Sequence, residues 1–146
     1  MSDKIIYEEF GIDRYNDLIN LFERSDIPYK PKGRDSRVEI KKQIKSEYAS
    51  FIGAFDGDRM VGFILATFDS RKGWINRLCV LPEYRDGRGI ALNLIKRAES
   101  FLGDLGTGIV AVFIEEHNRP SINLFRRMGY ELHRDMIYLT KRDEGW

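Results

Sequence analysis

The stretch VLPEYRDGRGIALNLIKRAESFL, residues 80–102, joins the end of an apolar run to an amphipathic pattern through a polar turn. Over residues 90–105 the apolar side chains recur at helical spacing, which predicts a helix with one buried face. Pro82, Gly87 and Gly89 lie between the apolar run and the helix and favour a turn. The stretch therefore predicts a strand, a tight turn and a helix in immediate succession.

The apolar runs on either side of this helix indicate the fold class. Residues 74–81 precede it, and residues 108–116 follow it as a continuous apolar run, which is typical of a strand covered on both faces. A strand, a helix and a second strand in succession predict a parallel pair. Upstream, runs at 50–55 and 59–68 flank an Asp-Gly pair at 56–57, which predicts an antiparallel hairpin. We therefore predict a mixed α/β (α+β) fold with a central, mostly antiparallel mixed sheet flanked by helices.

The remaining segments complete a single domain over residues 1–146. In chain order the patterns predict a strand, a helix, a long loop, a looser helix, a further helix and one or two closing strands, at residues 5–10, 15–24, 25–36, 38–48, 120–128 and 130–142. Pro120 suits the first turn of its helix, and Gly129 suits the position after the helix end.

Charge and cysteine content narrow the classes of function. Lys and Arg number 24 against 23 Asp and Glu, and the net charge of +1 gives no overall attraction for nucleic acid or an anionic membrane. The single cysteine, Cys79, cannot form an internal disulfide, and no Cys or His cluster has metal-ligand spacing. There is no signal-peptide pattern and no apolar run long enough to span a bilayer. We expect a cytoplasmic protein that binds no nucleic acid, membrane or metal.

The turn before the long helix has the features of an anion site. The first amides of a helix lack intrahelical acceptors and carry the positive end of the helix dipole. Gly87 and Gly89 let the backbone approach a ligand, and Arg85 and Arg88 can donate to phosphate oxygens. A pyrophosphate fits this description, and a solvated turn without a ligand is the alternative.

These residues resemble the acyl-CoA-binding segment of the GNAT superfamily of N-acetyltransferases. The family pattern is V-x-P-x-[YF]-R at the end of a strand, followed by R/Q-x-x-G-x-G/A at the start of a long helix. This chain has Val80, Pro82, Tyr84 and Arg85, then Gly89, Ile90 and Ala91. One residue more than usual separates Arg85 from Gly89. The resemblance implies the GNAT fold, with acetyl-CoA as co-substrate.

The resemblance continues downstream and covers about residues 74–140. The family has an asparagine after the next strand, an alanine or serine three residues on, a tyrosine, and then Gly-Phe or Gly-Tyr. The corresponding residues here are Asn118, Ser121, Phe125, Gly129 and Tyr130. Phe125 therefore replaces the usual tyrosine.

The resemblance also implies roles for individual residues. A primary amine would attack the thioester directly, without an acyl-enzyme, and backbone amides of the strand would polarise the carbonyl. The residues expected to bind the cofactor are Leu78, Cys79, Val80, Arg85, Gly87, Arg88, Gly89, Ile90, Ala91, Asn118, Ser121 and Phe125. Glu115 and Glu116, beside the expected pantetheine channel, are the candidate bases, and ordinary solvated charges are the alternative. Phe125 stands where a tyrosine hydroxyl can protonate the departing thiolate.

The acceptor is less well defined. The long loop and the residue after it carry a basic group comprising Tyr29, Lys30, Lys32, Arg34 and Arg37. This group predicts an amine acceptor with a carboxylate or phosphate, and a solvated basic loop is the alternative. We expect a monomer or homodimer. The competing functions are a GNAT-like module that binds acyl-CoA with weak or no activity, and a dinucleotide-binding oxidoreductase half-domain, which requires a mainly parallel sheet.

Overall fold

The computed structural model describes residues 4–85 and 87–146. In the part described, five strands form one sheet in the order β1-β2-β3-β4-β5. The strands are β1 (Ile6–Glu9), β2 (Ala49–Asp56), β3 (Arg59–Phe68), β4 (Gly73–Val80) and β5 (Val110–Val112). The α-helices are α1 (Tyr15–Arg24), α2 (Arg37–Ile44), α3 (Ile90–Asp104) and α4 (Arg119–Arg127), with short 3-10 turns at Ile12–Arg14 and Pro82–Tyr84. Neighbouring strands are antiparallel except β4 and β5, which are parallel. The predicted fold class is confirmed.

Local sequence accounts for most of the element boundaries. Asp56 pairs with Arg59, so the β2–β3 loop consists of Gly57 and Asp58, one residue later than the predicted pair. Ser36 caps α2 by accepting a hydrogen bond from the Glu39 amide at 3.2 Å. The looser helical pattern over residues 38–48 gives a helix only as far as Ile44.

The core lies on both faces of the sheet. On one face, Phe22 of α1 contacts Phe63 of β3, with ring centroids 5.8 Å apart. Adjacent strand residues point to opposite faces, and Gly62 accordingly faces α3, where a Cβ would lie 3.2 Å from atoms of Ile90 and Leu94. Phe22, Phe63 and Leu94 are fully buried, and burial of each such side chain stabilises the fold by about 1.5–3 kcal/mol. The two helices therefore fix the position of the central strands.

The predictions for the carboxyl-terminal third were partly wrong. β5 comprises three residues rather than the run 108–116, and residues 130–142 form no strand within the described part of the chain. The predicted covering of this run is only partial, since Val110, Val112 and Ile114 pack against the core whereas Phe113 is 64% exposed. An apolar pattern forms a strand only where a neighbouring ladder accepts it. β5 pairs with β4 over three residues, and within the described part of the chain no further strand pairs with its other side.

Candidate functional site

The site begins where β4 and β5 stop pairing. Their parallel ladder joins Gly73 with Val110, Trp74 with Ala111 and Ile75 with Val112. β5 ends there, whereas β4 continues for five more residues to Val80. Among the described residues, this second half of β4 therefore has a strand partner, β3, on one side only. Beyond Ile75, β4 is thus an open edge of the sheet on the side where β5 paired with it.

The ladder alternation shows which backbone groups face this open edge. The Leu81 amide donates to the Val61 carbonyl at 2.9 Å. In an antiparallel ladder every second residue bonds to the same neighbour, so the main-chain groups of Cys79 and Arg77 also face β3. The N–H groups of Leu78 and Val80 consequently point away from β3, toward the open edge. The main-chain groups of Cys79, also expected to bind the cofactor, are turned toward β3. Of the three strand residues expected to bind the cofactor, Leu78 and Val80 therefore present their amides at the open edge and Cys79 does not.

The turn before α3 provides a second set of amides. Gly89 is the N-cap of α3 with φ of 76°, and no side chain caps the helix. The first intrahelical bond runs from the Asn93 amide to the Gly89 carbonyl at 2.9 Å, which leaves the amides of Ile90 and Ala91 without an intrahelical acceptor. A Cβ at Gly87, where φ is 90°, would meet no atom within 4 Å. The start of the helix is therefore open to an anion; the extra residue of this turn, Asp86, lies outside the described residues.

The arginines of the turn have separate contacts. Arg85 Nε donates to the Val80 carbonyl at 2.8 Å and so ties the turn to the end of β4. The Arg88 guanidinium lies over the Tyr84 ring, 4.8 Å from its centroid, and the Tyr84 hydroxyl donates to Asp56 Oδ2 at 2.6 Å. Both cations thus belong to the turn that joins β4 to α3, with Arg85 held at the end of β4 and Arg88 stacked on Tyr84.

The downstream motif residues shape α4. Asn118 is its N-cap, and its Oδ1 accepts a hydrogen bond from the Ser121 amide at 3.4 Å. At the other end, the Tyr130 amide donates to the Phe125 carbonyl at 3.0 Å and Gly129 has φ of 97°, which is a Schellman ending. Asn118 and Ser121 therefore have a structural role in starting this helix.

Phe125 is the buried residue of α4 and is only 3% exposed. Its ring meets the edge of Tyr130 with centroids 4.9 Å apart. The Tyr130 hydroxyl donates to Glu99 Oε2 at 2.6 Å. Burial, followed by this hydrogen bond and the Glu99 charge, raises the pKa of Tyr130 above its ordinary value. The phenol nearest to Phe125 thus holds its proton tightly.

The two candidate bases lie at the surface. The Glu115 side chain is 72% exposed, and its Oε2 lies 3.2 Å from Nε2 of His117. Glu116 is also exposed. The structure therefore brings Glu115 together with His117, in a position where water reaches both carboxylates. Cys79, by contrast, is 3% exposed, and its burial raises the pKa of the thiol, which is typical of an unreactive packing residue.

A buried ion pair beside the open edge was missed at the sequence level. Arg77 Nη2 of β4 lies 2.8 Å from Asp35 Oδ2, with the two side chains only 13% and 8% exposed. Arg77 Nη1 also donates to the Pro28 carbonyl at 2.8 Å, and Asp35 accepts the Lys30 amide at 2.7 Å. Burial lowers the pKa of Arg77, and Asp35 opposes that effect. The available signal was a lone charge within the apolar run 74–81.

Neither a metal centre nor a membrane span is found in the part of the chain that the structure covers. Residues 4–85 and 87–146 contain no group of three or more His, Cys, Asp or Glu side chains arranged to hold a metal ion. Their helices are all too short or too polar to cross a bilayer.

Comparison with known proteins identifies relatives of this architecture. Residues 15–130 match the family described as acetyltransferase (GNAT). The PaiA N-acetyltransferase of Thermoplasma acidophilum, solved with coenzyme A, superposes with a TM-score of 0.76 at 20% identity, covering 89% of this chain and 91% of that one.

Two further solved structures have the same fold. The aminoglycoside N-acetyltransferase AAC(6')-Iy, in complex with the bisubstrate analogue CoA-S-monomethyl-acetylneamine, has a TM-score of 0.79 at 16% identity, with coverage of 97% of this chain and 100% of that one. A ribosomal-protein-alanine N-acetyltransferase of Brucella melitensis has a TM-score of 0.70 at 14% identity, with coverage of 96% and 100%.

Proposed function

This chain belongs to the acetyltransferase (GNAT) family, and from that membership we propose that it transfers the acetyl group of acetyl-CoA directly to a primary amine of a small molecule or peptide. The observation that carries the proposal is the pairing of two features. β4 has an open edge beyond Ile75, and the uncapped start of α3 follows the same strand within ten residues of Val80. In acetyl-CoA a flexible chain joins a thioester to a pyrophosphate. The thioester suits the amides at the open edge of β4, and the pyrophosphate suits the amides at the start of α3.

The residues present fit coenzyme A. The unbonded amides at the start of α3 and the glycines without Cβ atoms suit the pyrophosphate. Arg85 and Arg88 add positive charge beside them. We assign Asn118 and Ser121 to the wall of the same site through the helix that they start, and Phe125 to its apolar lining.

Acetyl-CoA, when bound, supplies an activated acetyl group as a thioester. The chain's own contribution to the transfer is the pair of amide donors of Leu78 and Val80, which are fixed by the ladder with β3. Preorganised donors of this kind stabilise developing negative charge on a carbonyl oxygen without reorganisation. The Cys79 side chain is buried in the core, and we assign it no role as a nucleophile.

The acceptor must lose a proton before it can react. An alkylammonium has a pKa of about 10.4, so a base or a chain of water molecules has to take that proton at neutral pH. We propose Glu115 or Glu116 for this task, since both are solvent-accessible and follow β5. Phe125 has no proton to give to the leaving thiolate, which supports a slow transfer.

An acyl-CoA-binding module with weak or no activity is the second candidate, and the absence of a hydroxyl at Phe125 favours it. Incubating the protein with acetyl-CoA and a panel of small amines, peptides and aminoglycosides decides between the two, with free thiol and acetylated product both measured. We expect at least one acceptor to give product with matching thiol release. Tight acetyl-CoA binding without any product would instead support the binding module.

A further inference from the structure

We propose that a basic pocket between the loop 25–36 and residues 138–146 binds an anionic group of the acceptor, so that the enzyme selects small amines carrying a carboxylate or phosphate. This inference rests on the proposed acetyl transfer and adds the chemical class of its acceptor.

The pocket has a volume of about 290 Å³. Arg34 lines it from the loop, and Tyr138, Lys141, Arg142, Asp143 and Trp146 line it from the carboxyl-terminal segment. Three of these side chains are cationic and one is a carboxylate. Sequence reasoning found Arg34 but missed the two cations that the carboxyl-terminal segment adds.

Close packing holds the two walls together. A Cβ on Gly33 would lie 2.6 Å from the Gly145 carbonyl oxygen and 3.0 Å from Trp146. Only a residue without a side chain lets the carboxyl-terminal segment lie this near the loop. Arg142 Nη1 also donates to the Trp146 main-chain oxygen at 3.1 Å, which orients its guanidinium across the segment.

The charge of Arg34 is available to a ligand because its nearest carboxylate is already engaged. Asp35 Oδ2 lies 4.0 Å from Arg34 Nε but only 2.8 Å from Arg77 Nη2, and it also accepts the Lys30 amide at 2.7 Å. Among the side chains that line the pocket, Asp143 is the carboxylate against three cations. A planar guanidinium binds carboxylate or phosphate through two parallel hydrogen bonds, so an anion fits this lining better than a neutral or cationic group.

Two contacts connect the pocket's surroundings with β4 and with the residue after β5. Arg34 precedes Asp35, whose side chain is held by Arg77 of β4. Tyr138 contacts Phe113, the residue after β5, with ring centroids 4.6 Å apart. The loop 25–36 and the segment 138–146 thus connect the pocket to β4 and to the residue that follows β5. An acceptor with an anionic group in the pocket and an amine at its other end can therefore extend toward the open edge of β4.

Matched acceptors provide the first test. ω-Amino carboxylates and ω-aminoalkyl phosphates of increasing length are compared with their neutral amides and alcohols, and with a polycationic aminoglycoside. We expect kcat/KM to be at least tenfold higher for the best anionic amine than for its neutral counterpart. The double variant Arg34→Gln/Lys141→Gln should abolish that preference, whereas Lys45→Gln, an exposed cation after α2, should preserve it. A preference for neutral or polycationic amines, or a preference unchanged in the double variant, would overturn the inference.

A binding measurement separates this inference from the proposed function. The chain has two tryptophans, so a Trp74→Phe background makes the fluorescence report on Trp146, inside the pocket. Titration with inorganic phosphate should change that fluorescence saturably, and Arg34→Gln/Lys141→Gln should weaken the response at least tenfold. Loss of acetyl transfer with this response intact would count against the proposed function alone. A response equal in both proteins would count against the pocket.

Discussion

Phe125 presents the clearest residue-scale question, because its ring is packed like a core residue at the position where the family resemblance implies a tyrosine that donates a proton. It is 3% exposed and meets Tyr130 edge-on. The Tyr130 hydroxyl donates its hydrogen bond to Glu99, so this neighbouring phenol does not offer its proton to the leaving thiolate. A free thiol has a pKa near 8.5, and its anion is a tolerable leaving group at neutral pH. Transfer without a protein acid is therefore slow but chemically feasible.

Phe125→Tyr tests this interpretation. The added hydroxyl should raise kcat up to about 10²-fold, the effect of a positioned acid, with little change in acetyl-CoA affinity. Steady-state kinetics and calorimetry measure the two quantities. Phe68→Tyr, at the far end of β3, adds the same hydroxyl away from the site and should leave kcat unchanged. An unchanged kcat in a folded Phe125→Tyr variant would mean that another group delivers the proton.

Tyr130 predicts a pH dependence of stability. Its pKa is about 10 in the unfolded chain and is raised in the folded protein. The folded state thus keeps a proton that the unfolded state loses, so this contribution is complete below about pH 10 and is lost as the pH rises toward the folded pKa. Urea unfolding between pH 8 and 11 should show stability falling at the alkaline end, less steeply in Tyr130→Phe. Equal slopes for the two proteins would contradict this assignment.

At the scale of elements, the pair Arg77 and Asp35 attaches the long loop to β4. Asp35 alone receives the Arg77 guanidinium, the Lys30 amide and, through its carbonyl, the Tyr15 hydroxyl at 2.7 Å. The loop's own backbone hydrogen bonds, such as those from the Gly33 and Asp35 amides to the Lys30 carbonyl at 3.0 Å, hold it to itself rather than to β4. Because one strand carries both this clamp and the open edge, the loop has a defined position relative to the proposed reaction centre.

Removing one partner of this buried pair should be costly. Asp35→Ala leaves the Arg77 charge buried without its carboxylate, and we expect the free energy of unfolding to fall by about 3–5 kcal/mol. Lys42→Gln breaks the surface pair with Glu39 and should cost less than about 1 kcal/mol. Urea denaturation measures both variants. A loss of under 1 kcal/mol for Asp35→Ala would show that the loop does not depend on the pair.

The elements predicted correctly from the sequence are those whose hydrophobic periodicity and flanking turn residues indicate the same boundaries. The helix α3 and strand β3 have strong patterns and clear boundaries, so their positions were predicted within one or two residues. The apolar run 136–139 has an equally strong pattern, yet its side chains are mostly exposed. Periodicity reports what a segment can bury, but it does not reveal whether a partner strand is present.

The candidate site was predictable only in part, for a similar reason. The turn around Gly89 combines glycines, cations and a helix start within a few residues, so local sequence suffices to find it. The Arg77–Asp35 pair joins positions 42 residues apart, and the basic pocket joins Arg34 to a segment more than 100 residues later. Contacts of this range depend on the topology of the whole chain.

At the scale of the whole molecule, the two proposed sites involve segments attached to the open half of β4. The turn that follows Val80 offers backbone amides for the proposed cofactor site, and the loop held by Arg77 borders the proposed acceptor pocket. The open strand edge lies between these two regions. We propose that the uncapped start of α3 holds the pyrophosphate of acetyl-CoA, so that the thioester can lie along this edge.

Calorimetric titration of acetyl-CoA into Gly89→Glu tests that claim most directly. Gly106→Glu is the matched control: it also has a positive φ, of 90°, and a Cβ there would meet no atom within 4 Å, while it follows the opposite end of α3, about 22 Å away at the rise of an α-helix. Both variants introduce the same kind of backbone strain and the same negative charge. We predict that Gly89→Glu abolishes acetyl-CoA binding while Gly106→Glu binds like the wild type. Unchanged affinity in a folded Gly89→Glu protein would contradict the account.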